Sequence, residues 1–229
     1  MINLSKYRII DLSHELFPSE QKVDGHQRHG KPFYGERAID LQEFFHSQDD
    51  SRMHFIQSQT HNGTHVEAPY KYSEGGKDIA SIPLETYLGE AAACDFTEKA
   101  GQPITPKDFE LAGVKTGDIV LAWGPPKFDK AGRWDVASSP YLLDETIDWL
   151  IELGIKALGT ENLTLSPPDK KPDEKPTSDA RILLSGIGLI DAPTGLHQIS
   201  KPRVFFIGLP VRMHRLTASW TRAIVLEDI

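Results

Sequence analysis

Cysteine is nearly missing from this chain, with Cys94 the single one in 229 residues. That excludes an internal disulfide framework and any cysteine-rich zinc module, and it points to a reducing compartment. With Ala91, Ala92 and Ala93 beside it, Cys94 reads as a small buried residue. Long apolar runs are also lacking: none approaches the ~20 residues of a membrane span, and no basic, apolar leader opens the chain. The expectation is a soluble, cytoplasmic protein with no membrane partner. Positive charge is scarce, 25 basic against 33 acidic residues for a formal net charge of -8. This argues against nucleic acid as a partner, because phosphate binding runs on clustered lysine and arginine. Gly186-Ile187-Gly188 lacks the third glycine and the strand-then-helix setting of a dinucleotide fingerprint, and no Gly-x-Ser-x-Gly elbow occurs. Kinase and serine-hydrolase readings therefore fall away.

What is present reads as one α/β domain over residues 1–229, long enough to bury a full core. Residues 9–12 read as a first strand, followed by a polar loop marked by Pro18, Gly25 and Gly30. Residues 53–59 read as a strand that delivers the chain into a histidine-bearing turn. Runs 91–96, 119–123, 156–159, 204–211 and 223–226 have strand length and composition. Thr105-Pro106 is a helix start, and Leu143, Ile147, Leu150 and Ile151 fall at helical spacing ahead of Gly154, a C-terminal cap. Residues 167–176 are rich in proline and charge and read as a loop or lid. The sheet is expected to be mixed or barrel-like, with flanking helices.

The chemistry concentrates in His61-Asn62-Gly63-Thr64-His65-Val66-Glu67-Ala68-Pro69-Tyr70-Lys71. Two imidazoles and a carboxylate within seven residues are the ligand types of zinc and, with more oxygen, of manganese. Asn62-Gly63 is a turn dipeptide, so a strand end and a turn present the histidines, unlike the helical His-Glu-x-x-His of zinc proteases. Gly63 permits a sharp turn and Pro69 stiffens its exit. The other histidines, His14, His26, His29, His46, His54, His197 and His214, are scattered among polar neighbours and read first as surface residues. His14 and His54 stand apart, the first just past the opening strand and the second in the strand leading to His61. Phe17 and Trp220 are candidates for lining a pocket, although aromatic residues usually serve the core.

The segment resembles the signature of the cyclase-like metal-dependent hydrolases, the family of bacterial kynurenine formamidase and isatin hydrolase, whose motif runs H-x-G-T-H-x-D-x-P-x-H. Five of its seven specified positions occur here, as His61, Gly63, Thr64, His65 and Pro69. Asp11-Leu12-Ser13 resembles the family's first strand, Gly159-Thr160-Glu161 its G-T-D segment, and residues 182–196 with Leu209-Pro210-Val211 its C-terminal third. The resemblance implies a swivelling β/β/α fold and a homo-oligomer, a dimer or a tetramer. It also implies a hydrolase that uses a metal-activated water on an amide, formamide or cyclic amide bond of a small molecule.

The departures define this chain. Glu67 stands where the family has an aspartate ligand, and Lys71 where it has the histidine assigned as general acid/base. Two further ligand positions, histidine and glutamate in the formamidases, fall on Asp179 and Asp191. The metal set implied is thus His61, His65, Glu67, Asp179 and Asp191, the two aspartates completing the sphere or binding a second ion, with manganese or zinc as the divalent metal; carboxylate in place of imidazole weighs toward manganese. The longer arm at Glu67 and the shorter one at Asp191 read as compensating across one ion. An ordinary lysine is a cation at neutral pH, so Lys71 reads first as an electrophile or substrate anchor. As a base it would need a pKa depressed by burial and a nearby divalent cation; alternatively His14 or His54 could replace the missing proton carrier. Two alternatives remain open: a metal-dependent lyase or isomerase with Lys71 moving a proton on carbon, and a degenerate member that binds a small molecule without turnover.

Overall fold

A computed structural model describes residues 3–17, 39–126, 135–170 and 176–229. In chain order the first elements are β1 (Tyr7–Asp11), β2 (Asp40–Phe45), β3 (Arg52–Gln57), β4 (His65–Glu67), β5 (Leu88–Asp95), β6 (Pro103–Ile104) and α1 (Pro106–Leu111). There follow β7 (Ile119–Trp123), β8 (Tyr141–Leu142), α2 (Asp144–Leu153), β9 (Ala157–Glu161) and α3 (Ser178–Leu184). The chain closes with β10 (Gly188–Asp191), β11 (Arg203–Ile207), β12 (Ala218–Trp220) and β13 (Ile224–Asp228).

Nine of these strands form one mixed sheet in the order β1-β13-β11-β5-β7-β9-β10-β4-β12. Its centre, β5-β7-β9-β10, is parallel, and antiparallel pairs extend it on both sides. A parallel centre buried on both faces is encoded as an unbroken apolar run rather than an alternating one. All five residues of β7 are buried accordingly. Ile119, Leu121 and Trp123 enter one core with Ile10, Val66, Ile190 and Phe206, whereas Val120 and Ala122 enter a second core with Phe109, Ile147, Leu150, Ile182 and Leu189, on the face that carries the helices. Cys94 lies in that second core, fully buried, and burial pushes its thiol up to about 12.

The chain just past β1 ties two parts of the curled sheet together. Leu12 donates its N–H to Ala223 at 2.8 Å and accepts from Thr194 at 2.9 Å, so one residue bridges the β13 side and the loop after β10. The expected α/β fold with a mixed, partly barrel-like sheet and flanking helices is what forms.

Local signals account for the helices. α1 starts at the Thr105-Pro106 pair, where the Asp108 carboxylate accepts from the Thr105 N–H and hydroxyl, both at 2.7 Å. α2 buries Thr146, Ile147 and Leu150 and ends on Gly154, whose φ of 75° is the left-handed cap. The expected strand at 53–59 forms as β3, two residues shorter at its end, and leads to the histidine turn; it pairs with β2 in a ribbon separate from the main sheet. One expectation needs correction. The run at 204–211 ends as a strand at Ile207, short of Pro210, which has no N–H for a ladder. The expected loop at 167–176 lies partly outside the described residues, as do Pro18, Gly25, Gly30, His26 and His29.

Candidate metal centre

The histidine turn is built around Gly63, which sits at φ 62°; a Cβ there would meet the Leu16 side chain at 2.4 Å. The turn feeds β4, whose alternation sends Val66 into the inner core and His65 and Glu67 to the opposite face. Antiparallel register supplies the rest of that face: Asp191 of β10 stands opposite His65 and Leu189 opposite Glu67, while on the other side Trp220 of β12 pairs with His65. Thr64 locks the arrangement, donating to the Ala192 carbonyl at 2.7 Å and accepting from the His14 N–H at 2.9 Å. Beyond β4 a short 3-10 turn, Pro69–Lys71, begins with a proline already set to the required φ and carries Lys71 back to Glu67.

His61, His65 and Glu67 form one cluster, their ligand-type atoms within 4.8 Å of one another. His61 Nδ1 lies 2.8 Å from Glu67 Oε1 and His65 Nε2 3.4 Å from the same oxygen; His65 Nε2 is also 3.3 Å from Asp191 Oδ2. Two ligands each ~2.1 Å from one ion, at octahedral or tetrahedral angles, lie ~3.0–3.4 Å apart; the two His65 separations fit a shared cation, and the shorter His61–Glu67 contact has hydrogen-bond length.

The outer nitrogens fit as well. His65 Nδ1 is 2.8 Å from the Gly63 carbonyl, which can only accept, so Nδ1 carries the proton and the Nε2 lone pair faces the carboxylates. That Nε2 is buried without a hydrogen-bond partner among the described residues. His61 Nδ1 donates to Glu67 Oε1, which only accepts, and its Nε2 accepts from the Thr217 hydroxyl at 2.9 Å; a bound cation would take the place of the Nδ1 proton, with Thr217 turning to accept. An outer partner that fixes the tautomer is the usual support of a metal-binding imidazole.

Electrostatics show a surplus of negative charge. Burial opposes the charge of Glu67, but the hydrogen bond from His61, the nearby His65 ring and the Lys71 ammonium outweigh it and hold the carboxyl well below its ordinary range. Burial likewise opposes protonation of His65, yet Glu67 and Asp191 raise its pKa. Lys71 is raised, burial being overcome by the charge and hydrogen bonds of Glu67. Asp179, in the first turn of α3, is pushed up by desolvation and by the charges of Glu67 and Asp191, with Lys71 opposing.

The expected site residues therefore fall into three groups. His61, His65 and Glu67 come together with Asp191 beside them; Lys71 bonds both Glu67 oxygens, at 2.8 and 2.7 Å. Asp179 approaches through Lys71, its Oδ2 3.9 Å from Nζ. His14 borders the cluster through its backbone bond to Thr64, and burial lowers the pKa of its ring despite the Glu161 charge. His54 stays on the β2–β3 ribbon, 3.6 Å from Glu43, and is not brought to the cluster. Glu161 serves the backbone instead, accepting from the Gly195 and Leu196 N–H groups at 2.9 and 2.7 Å. Sequence reasoning missed Thr217 and also Tyr87, a fully buried residue whose hydroxyl donates to the Glu67 carbonyl. Nothing in their local sequence marks either, since both act across the fold.

Comparison with known proteins meets this geometry. Residues 10–167, which include the whole histidine turn, match a family model described as "Putative cyclase". Kynurenine formamidase of Erythrobacter litoralis is 32% identical over 174 residues, covering 73% of this chain and 74% of that protein. Isatin hydrolase A from Labrenzia aggregata superposes with a TM-score of 0.72 at 21% identity, covering 98% and 95% of the two chains. A structure described as a potential metal-dependent hydrolase with cyclase activity also gives 0.72, at 17% identity and coverage of 97% and 99%. The family-model match over residues 10–167 and the 32% identity across most of the chain show that it belongs to the cyclase family, of which it is a divergent member.

Proposed function

We propose that this enzyme hydrolyses an amide, formamide or cyclic amide bond of a small molecule, with a divalent ion held by His61, His65 and Glu67 and with Asp191 beside them. The observation that carries this reading is the buried Nε2 of His65, left without a partner between two carboxylates. A buried lone pair so placed costs free energy unless a cation or proton meets it. The names of the formamidase and isatin hydrolase relatives support amide chemistry, and the metal-dependent hydrolase description supports the ion. Manganese and zinc both suit the donor set, and its carboxylates weigh toward manganese. When bound, the ion would polarise a carbonyl and lower the pKa of a water.

The remaining tasks fall to side chains. Lys71, kept charged by Glu67, suits a developing oxyanion or a substrate carboxylate better than it suits a base. His14, whose backbone N–H bonds Thr64 and whose ring burial favours in the neutral form, is the candidate proton carrier. Trp220 shares the face of His65, and its buried indole N–H has no partner among the described residues, which suits it to a substrate acceptor.

Among the described residues no helix is long and apolar enough to cross a membrane, and the lone buried cysteine fits a reducing, cytoplasmic setting. The β2–β3 ribbon exposes Phe45, Phe55 and Ile56, each more than half accessible, and this supports a homo-oligomer, dimer or tetramer. Sedimentation of Phe55→Asp is expected to show a smaller species than the wild type. For the reaction, a panel of formamides, lactams and lactones with added manganese or zinc is decisive. Products that together contain one added water support the hydrolase. Elimination or isomerisation products would replace it with a lyase or isomerase, and no turnover on any member would favour the binding-only alternative.

A further inference from the structure

The cluster has two sides that share Glu67. On one, His61 Nδ1 and His65 Nε2 face Glu67 Oε1, with Asp191 Oδ2 beside His65. On the other, Lys71 Nζ takes both Glu67 oxygens, at 2.8 and 2.7 Å, and stands 3.9 Å from Asp179 Oδ2. An ion on that second side would need Glu67 and Asp179 as its carboxylates, and the ammonium already lies between them. Lys71 is held there firmly: it leaves a proline-started turn four residues past Glu67, and its Nζ packs 5.3 Å from the Tyr72 ring centroid.

Charge leads to the same count. Glu67, Asp179 and Asp191 bring three negative charges and Lys71 returns one positive charge, while ligating histidines are neutral. The deficit equals the charge of a single divalent ion. With Lys71 in place a second divalent ion would leave a surplus of two positive charges in a partly buried site, a costly state; without Lys71 the surplus falls to one, which a single added anion cancels.

We propose that Lys71 is a built-in cation standing in the place of a second metal, so that the site takes one divalent ion per chain. This rests on the metal reading above and adds the stoichiometry and the residue that sets it. The test is the number of manganese ions bound per chain, from calorimetric titration of chelator-stripped protein and elemental analysis after removal of free ion. Wild type and Lys71→Arg are expected to take one ion. Lys71→Met, with its fold checked by circular dichroism, is expected to take two and to bind the first about tenfold or more tightly, having lost a nearby repelling charge. Two ions in the wild type would overturn the proposal while leaving the metal reading intact. A folded Lys71→Met that stays at one ion would overturn it equally. No ion in the wild type would instead defeat the metal reading beneath it, and this proposal with it.

Discussion

Two glutamates in the same sheet, Glu67 of β4 and Glu227 of β13, are both 2% exposed, and they are stabilised by opposite means. Glu227 is met mainly by one loop, the N–H groups of Ser200 and Lys201 at 2.6 and 3.0 Å and the Ser200 hydroxyl at 3.0 Å, with the exposed Arg8 at 3.6 Å. Glu67 is met by titratable side chains alone, two imidazoles and an ammonium, and one of those imidazoles keeps an unpartnered nitrogen. Amide donors cannot leave, so the first arrangement fixes a loop and does nothing else. Imidazoles can exchange a proton for a metal ion, so the second can hold a cation and do chemistry.

That contrast can be broken by substitution. The largest effect is expected from His65→Ala: manganese or zinc affinity should fall by about 100-fold or more in calorimetry, exceeding the 10–100-fold typical of residues that only orient a ligand. Next come Glu67→Asp and Asp191→Glu, each expected to weaken the ion by about 10–100-fold. The double variant should recover part of the loss, because both carboxylates reach the same His65 nitrogen, at 3.4 and 3.3 Å. Strictly additive losses would sink the idea that one arm compensates for the other.

Glu227→Gln should act on stability alone. About 1–3 kcal/mol is expected by denaturant unfolding at pH 7, with ion content unchanged. Burial raises the Glu227 pKa, but the bonds from Ser200 and Lys201 and the Arg8 charge outweigh it and depress the folded-state value. Its contribution is therefore complete above the unfolded-state pKa of about 4.3 and fades as pH falls through the lower folded value. The gap between wild type and variant should narrow over that acid range. The smallest effect belongs to His54→Ala: on its ribbon beside Glu43, it should change stability by less than about 0.5 kcal/mol and leave turnover unaltered.

How much the sequence revealed depended on whether partners are neighbours along the chain. The turn histidines, Glu67 and Lys71 were readable because they sit within one turn and strand of each other. The fully buried strand Ile119–Trp123 and the helix closed by Gly154 were readable because burial and capping leave local marks. Asp191 could be proposed only through resemblance, since what places it is the β10–β4 register. Thr217 and Tyr87 left no local mark, because each meets the cluster from a distant strand or loop. The β2–β3 ribbon was half seen: residues 40–45 showed no alternation of buried and exposed positions, for the ribbon has no face turned to the core.

The most direct measurement is hydrolysis of an aryl formamide by chelator-treated protein before and after manganese or zinc is returned, with His65→Ala treated alongside. Turnover that vanishes on chelation, returns with the ion and stays absent in His65→Ala is the expected result. Turnover that survives chelation, or persists in His65→Ala, would contradict a cation held at His65 as the centre of this site.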